Sequence, residues 1–209
     1  AEENGGTVNR KAIIVAGLFH DANYQLDHTN TEFSDRVFDN KEEYSAAIIE
    51  NLPDEFGLSP ADIGEASQAT RATYLYGDPV STTDKIIVRA DIGNVSGDYK
   101  QSFIHKNELF RQEQIRSQNI PEKLFDNATF AANTVKVLAV YLSKDLSLGD
   151  WDREWSDSFV LNVYRFFKSN AIEQGSKELD TAKGLGETVL RLFSSHILRF
   201  GSDKNEDSE

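Results

Sequence analysis

Hydrophobic positions recur along most of this 209-residue chain with the period of an α-helix. No segment shows the sustained alternation of apolar and polar residues that is typical of a β-strand. We therefore predict an all-α fold. The predicted helices span about residues 9–20, 40–52, 60–74, 82–95, 99–118, 121–144, 151–174 and 180–199.

The first predicted helix is the most apolar part of the chain. Its residues 12–19 are all hydrophobic or Gly, so the helix is apolar on every face. This pattern is typical of a buried central helix. Thr7 or Asn9 can cap its N-terminus, and His20 and Asp21 follow where it ends.

Polar residues mark the approach to the next helices. Residues 22–39 are rich in Asn, Asp and Thr and predict a long loop, a feature that is often functional in a compact domain. Asn40, with Glu43 three positions later, forms a capping-box pattern at the start of the second helix. Ser59, followed by a proline, predicts the start of the third helix.

The sequence motifs lie in the first half of the chain, and plain amphipathic helices fill the second half. We therefore predict a core at residues 1–120, a helical extension packed on it at 121–200, and a disordered polar tail at 201–209. In the extension, aromatic residues at helix-core spacing indicate either further core or a homo-oligomer interface. They are Trp151, Trp155, Phe159, Phe166 and Phe167.

The charge of the chain limits its partners. A formal net charge of −13 repels polyanions, which argues against a nucleic-acid polymer or an anionic membrane as the partner. A small phosphorylated substrate stays compatible, because a bound metal ion reverses the local field. The longest apolar run has eight residues, whereas a membrane-spanning helix needs about 20.

The absence of cysteine excludes disulfides, thiolate catalysis and cysteine-based zinc sites, and it is compatible with a cytoplasmic location. The N-terminus shows no signal-peptide pattern. Its polar opening resembles the end of a helix followed by a turn, so we expect that residues preceded Ala1 in the full-length protein.

The doublet of His20 and Asp21 is the first candidate for chemistry. An imidazole and a carboxylate on adjacent residues can bind one cation, which the dipole at a helix C-terminus also favours. A local hydrogen bond between the two side chains is the alternative interpretation.

Asp91 strengthens the metal hypothesis. Its neighbours one helical turn away are mostly apolar, and a carboxylate on a core face must be paired or metal-bound. A salt bridge to Lys85, Arg89 or Arg71 is the alternative.

Four elements together resemble the HD superfamily of metal-dependent phosphohydrolases. Residues 16–24 are similar to its central motif, an apolar helix that ends in Phe-His-Asp, and residues 40–46 are similar to the stretch that opens its next helix. Thr70 matches a Thr near the end of the helix after that, and residues 90–93 match an Ala-Asp-Ile-Gly segment. The resemblance implies an HD-domain-like helical bundle over residues 10–117, with additional C-terminal helices.

The resemblance also implies a metal site. One divalent ion (Mn, Ni, Co, Fe, Zn or Mg) would be bound by three residues of this chain, His20, Asp21 and Asp91. The family's remaining ligand is a His on a preceding helix, and residues 1–19 contain no His. Either the chain begins after that helix or the site has degenerated, with His28 and His105 as less favoured substitutes.

The implied activity is metal-assisted hydrolysis of a small phosphate ester, with nucleotides among the candidate substrates. Asp21 or Glu43 would orient the attacking water, and Thr70 or Arg71 would contact the phosphate. Two further residues would shape the substrate pocket, Asn23 and Tyr24.

Two rival hypotheses remain open at this point. A helical module that has kept the fold and lost the site would serve as a binding or structural protein. A two-iron oxygenase of HD type needs more histidine ligands than the four His of this chain offer in a suitable pattern.

Overall fold

The computed structural model describes residues 8–22, 33, 36–117, 126–148 and 153–171. This part of the chain contains eight α-helices and no strand, which confirms the all-α prediction. The helices are α1 (Arg10–Phe19), α2 (Lys41–Glu50), α3 (Pro60–Ala72), α4 (Thr82–Asp91), α5 (Gly93–Ser96), α6 (His105–Ser117), α7 (Asn127–Ser143) and α8 (Arg153–Ala171). A 3-10 turn at Asp54–Phe56 precedes α3, and a π-helical segment at Tyr99–Ile104 precedes α6.

Side-chain caps define where the first helices begin. The Asn9 side chain accepts a hydrogen bond from the backbone N–H of Ala12 at 3.1 Å, and Asn40 accepts one from the N–H of Glu43 at 2.8 Å. These bonds satisfy amide groups that have no partner inside a helix. The predicted caps at both asparagines are confirmed, although the carboxylate of Glu43 binds Arg71 instead of closing a capping box.

The third and fourth helices begin with complete capping boxes. Ser59 accepts from the N–H of Asp62, and the Asp62 carboxylate accepts from the N–H of Ser59. Ser81 and Asp84 form the same reciprocal pair. The start of α2, α3 and α4 is therefore determined by short polar patterns in the sequence.

The described residues fall into two compact units. The first contains the residues up to Gly93 together with 144–148, and the second contains 94–143 together with α8. In the first unit, α3 packs against α1, α2 and α4. The core between these helices consists mainly of small side chains, which allow close approach: Ala12, Val15, Ala16, Ile49, Ala66, Ala69 and Ile87.

The prediction that α1 is buried on every face is wrong for the described residues. Ala12 and Ala16 are fully buried, but Ile14 is 62% exposed and Leu18 is 74% exposed. The latter two lie one turn apart on the same side of the helix. The reason is that α3 and its neighbours cover the side that carries the alanines, and apolar composition alone does not specify which side is covered.

A polar network ties three helices of the first unit together. The Asn9 side chain donates to Asp62 at 2.9 Å and to Glu65 at 3.0 Å, both on α3. Thr83 of α4 donates to the other oxygen of Glu65 at 2.5 Å. The network fixes the start of α1 and the start of α4 against the same face of α3.

In the second unit, the core contains aromatic side chains. Phe103 is buried and its ring centroid lies 5.2 Å from that of Phe166 on α8. Trp155 stacks on buried Phe159 at 5.1 Å. The buried Asn162 amide donates to two backbone carbonyls of the bend at residues 95–97. The core interpretation is thus confirmed for Phe159 and Phe166.

Several predictions fall outside the described residues. These are the helix at 180–199, the tail at 201–209, the boundary near residue 120, and the positions of Trp151 and His28. The division between the two compact units lies after Gly93. Among the residues that are described, no helix is both long enough and apolar enough to cross a membrane.

Candidate metal centre

Three predicted ligands meet at the C-terminal ends of two helices. His20 directly follows α1, Asp21 comes next in the turn, and Asp91 is the last residue of α4. The C-terminal end of a helix carries partial negative charge because its last carbonyl groups have no intrahelical donor. Two such ends therefore add to the attraction that the carboxylates exert on a cation.

The distances among the three side chains are short. His20 Nε2 lies 3.4 Å from Asp21 Oδ2 and 3.6 Å from Asp91 Oδ1. One ligand atom from each residue can be chosen so that all of them lie within 4.8 Å of one another. We call His20, Asp21 and Asp91 the three-ligand cluster.

The backbone orients the imidazole of His20. Its Nδ1 lies 3.0 Å from the carbonyl oxygen of Gly17, one turn back in α1. When Nδ1 carries the proton and donates to this oxygen, Nε2 of the neutral ring has a free lone pair on the side of the two carboxylates. An orienting hydrogen bond of this kind is the usual companion of a metal-binding histidine.

The three-ligand cluster fits a transition-metal ion. Metal–ligand bonds of about 2.1 Å place ligand atoms up to about 4.2 Å apart, so small side-chain movements would bring all three donors to one ion. One nitrogen and two carboxylate oxygens form a mixed set that suits Mn, Fe, Co, Ni or Zn. Three protein ligands also leave coordination positions open to water or substrate.

The predicted surroundings of Asp91 are wrong, although its place beside His20 is as expected. The sequence placed Asp91 on a core face inside a helix that continues to residue 95, but α4 ends at Asp91 itself and its side chain is 27% exposed. Ile92 adopts a non-helical conformation before the short α5 begins. Asp91 thus lies at a helix end beside His20 and is not buried among apolar side chains.

Two of the cations considered as salt-bridge partners of Asp91 bind other carboxylates. Lys85 pairs with Asp145 at 2.7 Å, and Arg71 binds Glu43 and Glu50. The third, Arg89, directs one nitrogen towards the carbonyl of Leu146.

The side chain of Lys41 lies against the three-ligand cluster. As the first residue of α2, Lys41 forms an ion pair through Nζ with Asp21 Oδ1, and Nζ is 3.5 Å from Glu42 Oε1. Burial alone would lower the pKa of this ammonium group, but the hydrogen bond to Asp21 and the charges of Asp21, Glu42 and Asp91 outweigh it and raise the pKa. Lys41 therefore carries a full positive charge in the site.

Glu42 adds a third carboxylate to these surroundings, and its side chain is only 9% exposed. Neither Lys41 nor Glu42 was among the predicted site residues. The signal that was available is the helix start at residue 41, which follows directly after the predicted cap Asn40.

The carboxylates also act on the imidazole of His20. The Asp91 carboxylate, 3.6 Å from Nε2, raises the pKa of His20 most strongly, burial opposes this, and the negative charge of Asp21 raises it further. The same two carboxylates that would bind a cation thus stabilise the protonated ring. The cluster therefore stabilises a positive charge, whether this is a bound cation or the proton on His20.

Glu43 and Arg71 form part of a second cluster of charges. Arg71 donates from Nε to Glu43 at 2.9 Å and from Nη2 to Glu50 at 2.7 Å, which joins α3 to α2. We call Arg71, Glu43 and Glu50 the Arg71 cluster. The predicted roles of Glu43 in orienting water and of Arg71 in contacting phosphate stay predictions.

The remaining predicted residues differ in their surroundings. Thr70 is fully buried, and its hydroxyl has no hydrogen-bond partner among the described residues. Its predicted role in catalysis stays untested. Asn23 and Tyr24, predicted to shape the pocket, lie outside the described residues. His105 is exposed at the start of α6 in the second unit.

Comparison of the chain with protein-family models, with curated proteins and with solved structures finds no match. The functional interpretation therefore depends on the four sequence elements and on the geometry of the three-ligand cluster.

Proposed function

We propose that this chain is a metal-dependent phosphohydrolase of HD type that acts on a small phosphate ester. The observation that carries the proposal is the meeting of His20, Asp21 and Asp91, which are 71 positions apart in sequence at their extremes, with His20 Nε2 3.4 and 3.6 Å from the two carboxylates. The same three residues match the metal ligands of the HD superfamily in the sequence.

The residues of the cluster have distinct tasks in this proposal. His20 offers Nε2 while its Nδ1 is held by Gly17, and the two carboxylates supply oxygen donors and negative charge. A divalent ion bound there would polarise a phosphoryl oxygen and lower the pKa of a coordinated water. The open side of the cluster, where Asp21 and Asp91 are partly exposed, provides access for the substrate.

The charge of the chain restricts the substrate class. With a net charge of −13, the surface as a whole repels a polyanion, so we propose a small phosphorylated molecule, nucleotides included, and no nucleic-acid polymer. A cytoplasmic location is part of the same proposal, because such substrates are found there and the chain has no cysteine.

A second candidate function is favoured by one specific observation. The ammonium group of Lys41 already neutralises part of the negative charge on Asp21. A chain in which this lysine replaced the metal permanently would keep the helical fold as a non-catalytic binding or structural module.

Elemental analysis of the purified protein tests the proposal. After incubation with Mn²⁺ and removal of free metal, we expect close to one ion per chain in the wild type and loss of this ion in Asp21→Ala. Asp145→Ala is the matched control, because Asp145 is an exposed carboxylate of the same unit that binds Lys85. Wild-type protein without bound Mn²⁺, or equal retention in Asp21→Ala, would contradict the metal site.

Hydrolysis of phosphate esters then tests the reaction. The metal-loaded wild type should release inorganic phosphate from a panel of nucleoside monophosphates and sugar phosphates, and Asp21→Ala should not. Metal binding without phosphate release from any ester would favour the binding module.

A further inference from the structure

The two oxygens of Asp21 face two different side chains, His20 and Lys41. Oδ2 lies 3.4 Å from His20 Nε2, inside the three-ligand cluster, and Oδ1 binds the ammonium group of Lys41. Asp21 is therefore shared between the proposed metal ligands and a fixed positive charge of the chain itself.

The balance of charge explains why the lysine lies there. Asp21 and Asp91 bring two carboxylates to two negative helix ends, and the buried carboxylate of Glu42 lies 3.5 Å from Lys41 Nζ. Such a group is unfavourable without a cation, because like charges repel and the burial of Glu42 adds a further penalty. Lys41 supplies that cation from the first turn of α2.

We propose that Lys41 is an internal cation that competes with the metal ion for Asp21 and so sets the metal affinity of the site. This inference rests on the proposed metal site. A divalent ion at the three-ligand cluster repels an ammonium group bound to the same carboxylate, so binding of the ion requires Lys41 to move away from Asp21.

The side chain of Lys41 is able to make this move. A lysine has four methylene groups and a compact charge that any nearby oxygen can accept, unlike the fixed fork of an arginine. Glu42 Oε1, 3.5 Å from Nζ, offers an alternative acceptor, and Lys41 is partly exposed to solvent. The ammonium can therefore leave Asp21 without losing all of its compensation.

Titration of the full chain with Mn²⁺, monitored by isothermal titration calorimetry, tests the inference. Lys41→Met removes the charge while keeping the length of the side chain and adding no oxygen donor, and it should bind Mn²⁺ about tenfold more tightly than the wild type. Lys41→Arg keeps the charge and should bind no more tightly than the wild type.

The matched control is Lys85→Met. Lys85 forms an ion pair with Asp145 in the same unit, so this variant makes the same change in net charge away from the cluster. It should leave the affinity for Mn²⁺ unchanged. Circular dichroism and thermal unfolding of all variants establish that each one is folded before titration.

The outcomes separate this inference from the proposed function. If the wild type binds Mn²⁺ and Lys41→Met binds it equally well, competition between Lys41 and the metal ion is refuted, and the proposed metal site is still supported. If only Lys41→Met binds Mn²⁺, the competition is supported and the native chain is the non-catalytic module. If neither protein binds Mn²⁺, both proposals are overturned, and equal tightening in Lys85→Met reduces the effect to net charge.

Discussion

The three-ligand cluster and the Arg71 cluster lie in the same unit and contain the same kinds of groups, but they differ in how their charges are matched. In the Arg71 cluster, one guanidinium binds two carboxylates at 2.9 and 2.7 Å, and each donor has its own acceptor. In the three-ligand cluster, two carboxylates share one imidazole at 3.4 and 3.6 Å, which is longer than a good hydrogen bond.

The difference indicates different uses of charge. In the Arg71 cluster the guanidinium binds both carboxylates, and this planar group holds α3 against α2. The three-ligand cluster keeps an excess of acceptor oxygens at two helix ends and draws Lys41 towards Asp21. An excess of acceptor oxygens around a single histidine is compatible with a cation site, whereas the matched pairs of the Arg71 cluster are compatible with a structural role.

The largest expected effect comes from removing a carboxylate of the three-ligand cluster. Asp91→Ala should weaken Mn²⁺ binding by at least about 100-fold, since loss of a group that only orients a ligand already costs about 10- to 100-fold. Calorimetric titration measures the change. Glu50→Ala, which removes a carboxylate from the Arg71 cluster, should leave Mn²⁺ affinity unaltered.

The opposite result would remove the distinction between the three-ligand cluster and the Arg71 cluster. Equal Mn²⁺ affinity in Asp91→Ala and the wild type would mean that Asp91 serves only to stabilise the protonated imidazole of His20. Metal binding that depended on Glu50 instead would move the site to the Arg71 cluster.

A smaller effect, on the free energy of unfolding, is expected from removing the charge of Arg71. Arg71→Met keeps much of the apolar stem but leaves Glu43 and Glu50 without their shared partner. We expect the free energy of unfolding to fall by up to about 2 kcal/mol, because two partly exposed ion pairs contribute at most about 1 kcal/mol each. Urea denaturation followed by circular dichroism measures this change, and a decrease well below about 0.5 kcal/mol would refute a structural role.

The comparison also shows what the sequence could predict. The caps at Asn9, Asn40 and Ser59 were predictable because each depends on residues within three positions. The all-α class followed from the helical period in the same way. The three-ligand cluster was predicted through resemblance, and the structure then brought its members together.

Features that depend on neighbouring helices were not predictable. The exposed side of α1 at Ile14 and Leu18 depends on which face α3 covers. The early end of α4 was missed, although Gly93 is a residue that weakens helices. The ion pair of Lys41 with Asp21 joins residues 20 positions apart across a loop, and no local pattern encodes it.

The smallest expected effect concerns α2, which carries members of both clusters. Asn40→Ala removes the cap that holds the first turn, where Lys41 and Glu43 lie, and should lower the free energy of unfolding by about 1 kcal/mol. Because Lys41 competes with the metal ion for Asp21 and is not itself a ligand in this proposal, a looser first turn should leave Mn²⁺ affinity equal or slightly higher. A tenfold loss of Mn²⁺ affinity would instead mean that this turn supplies a ligand. The buried carboxylate of Glu42 would then be the first residue to test.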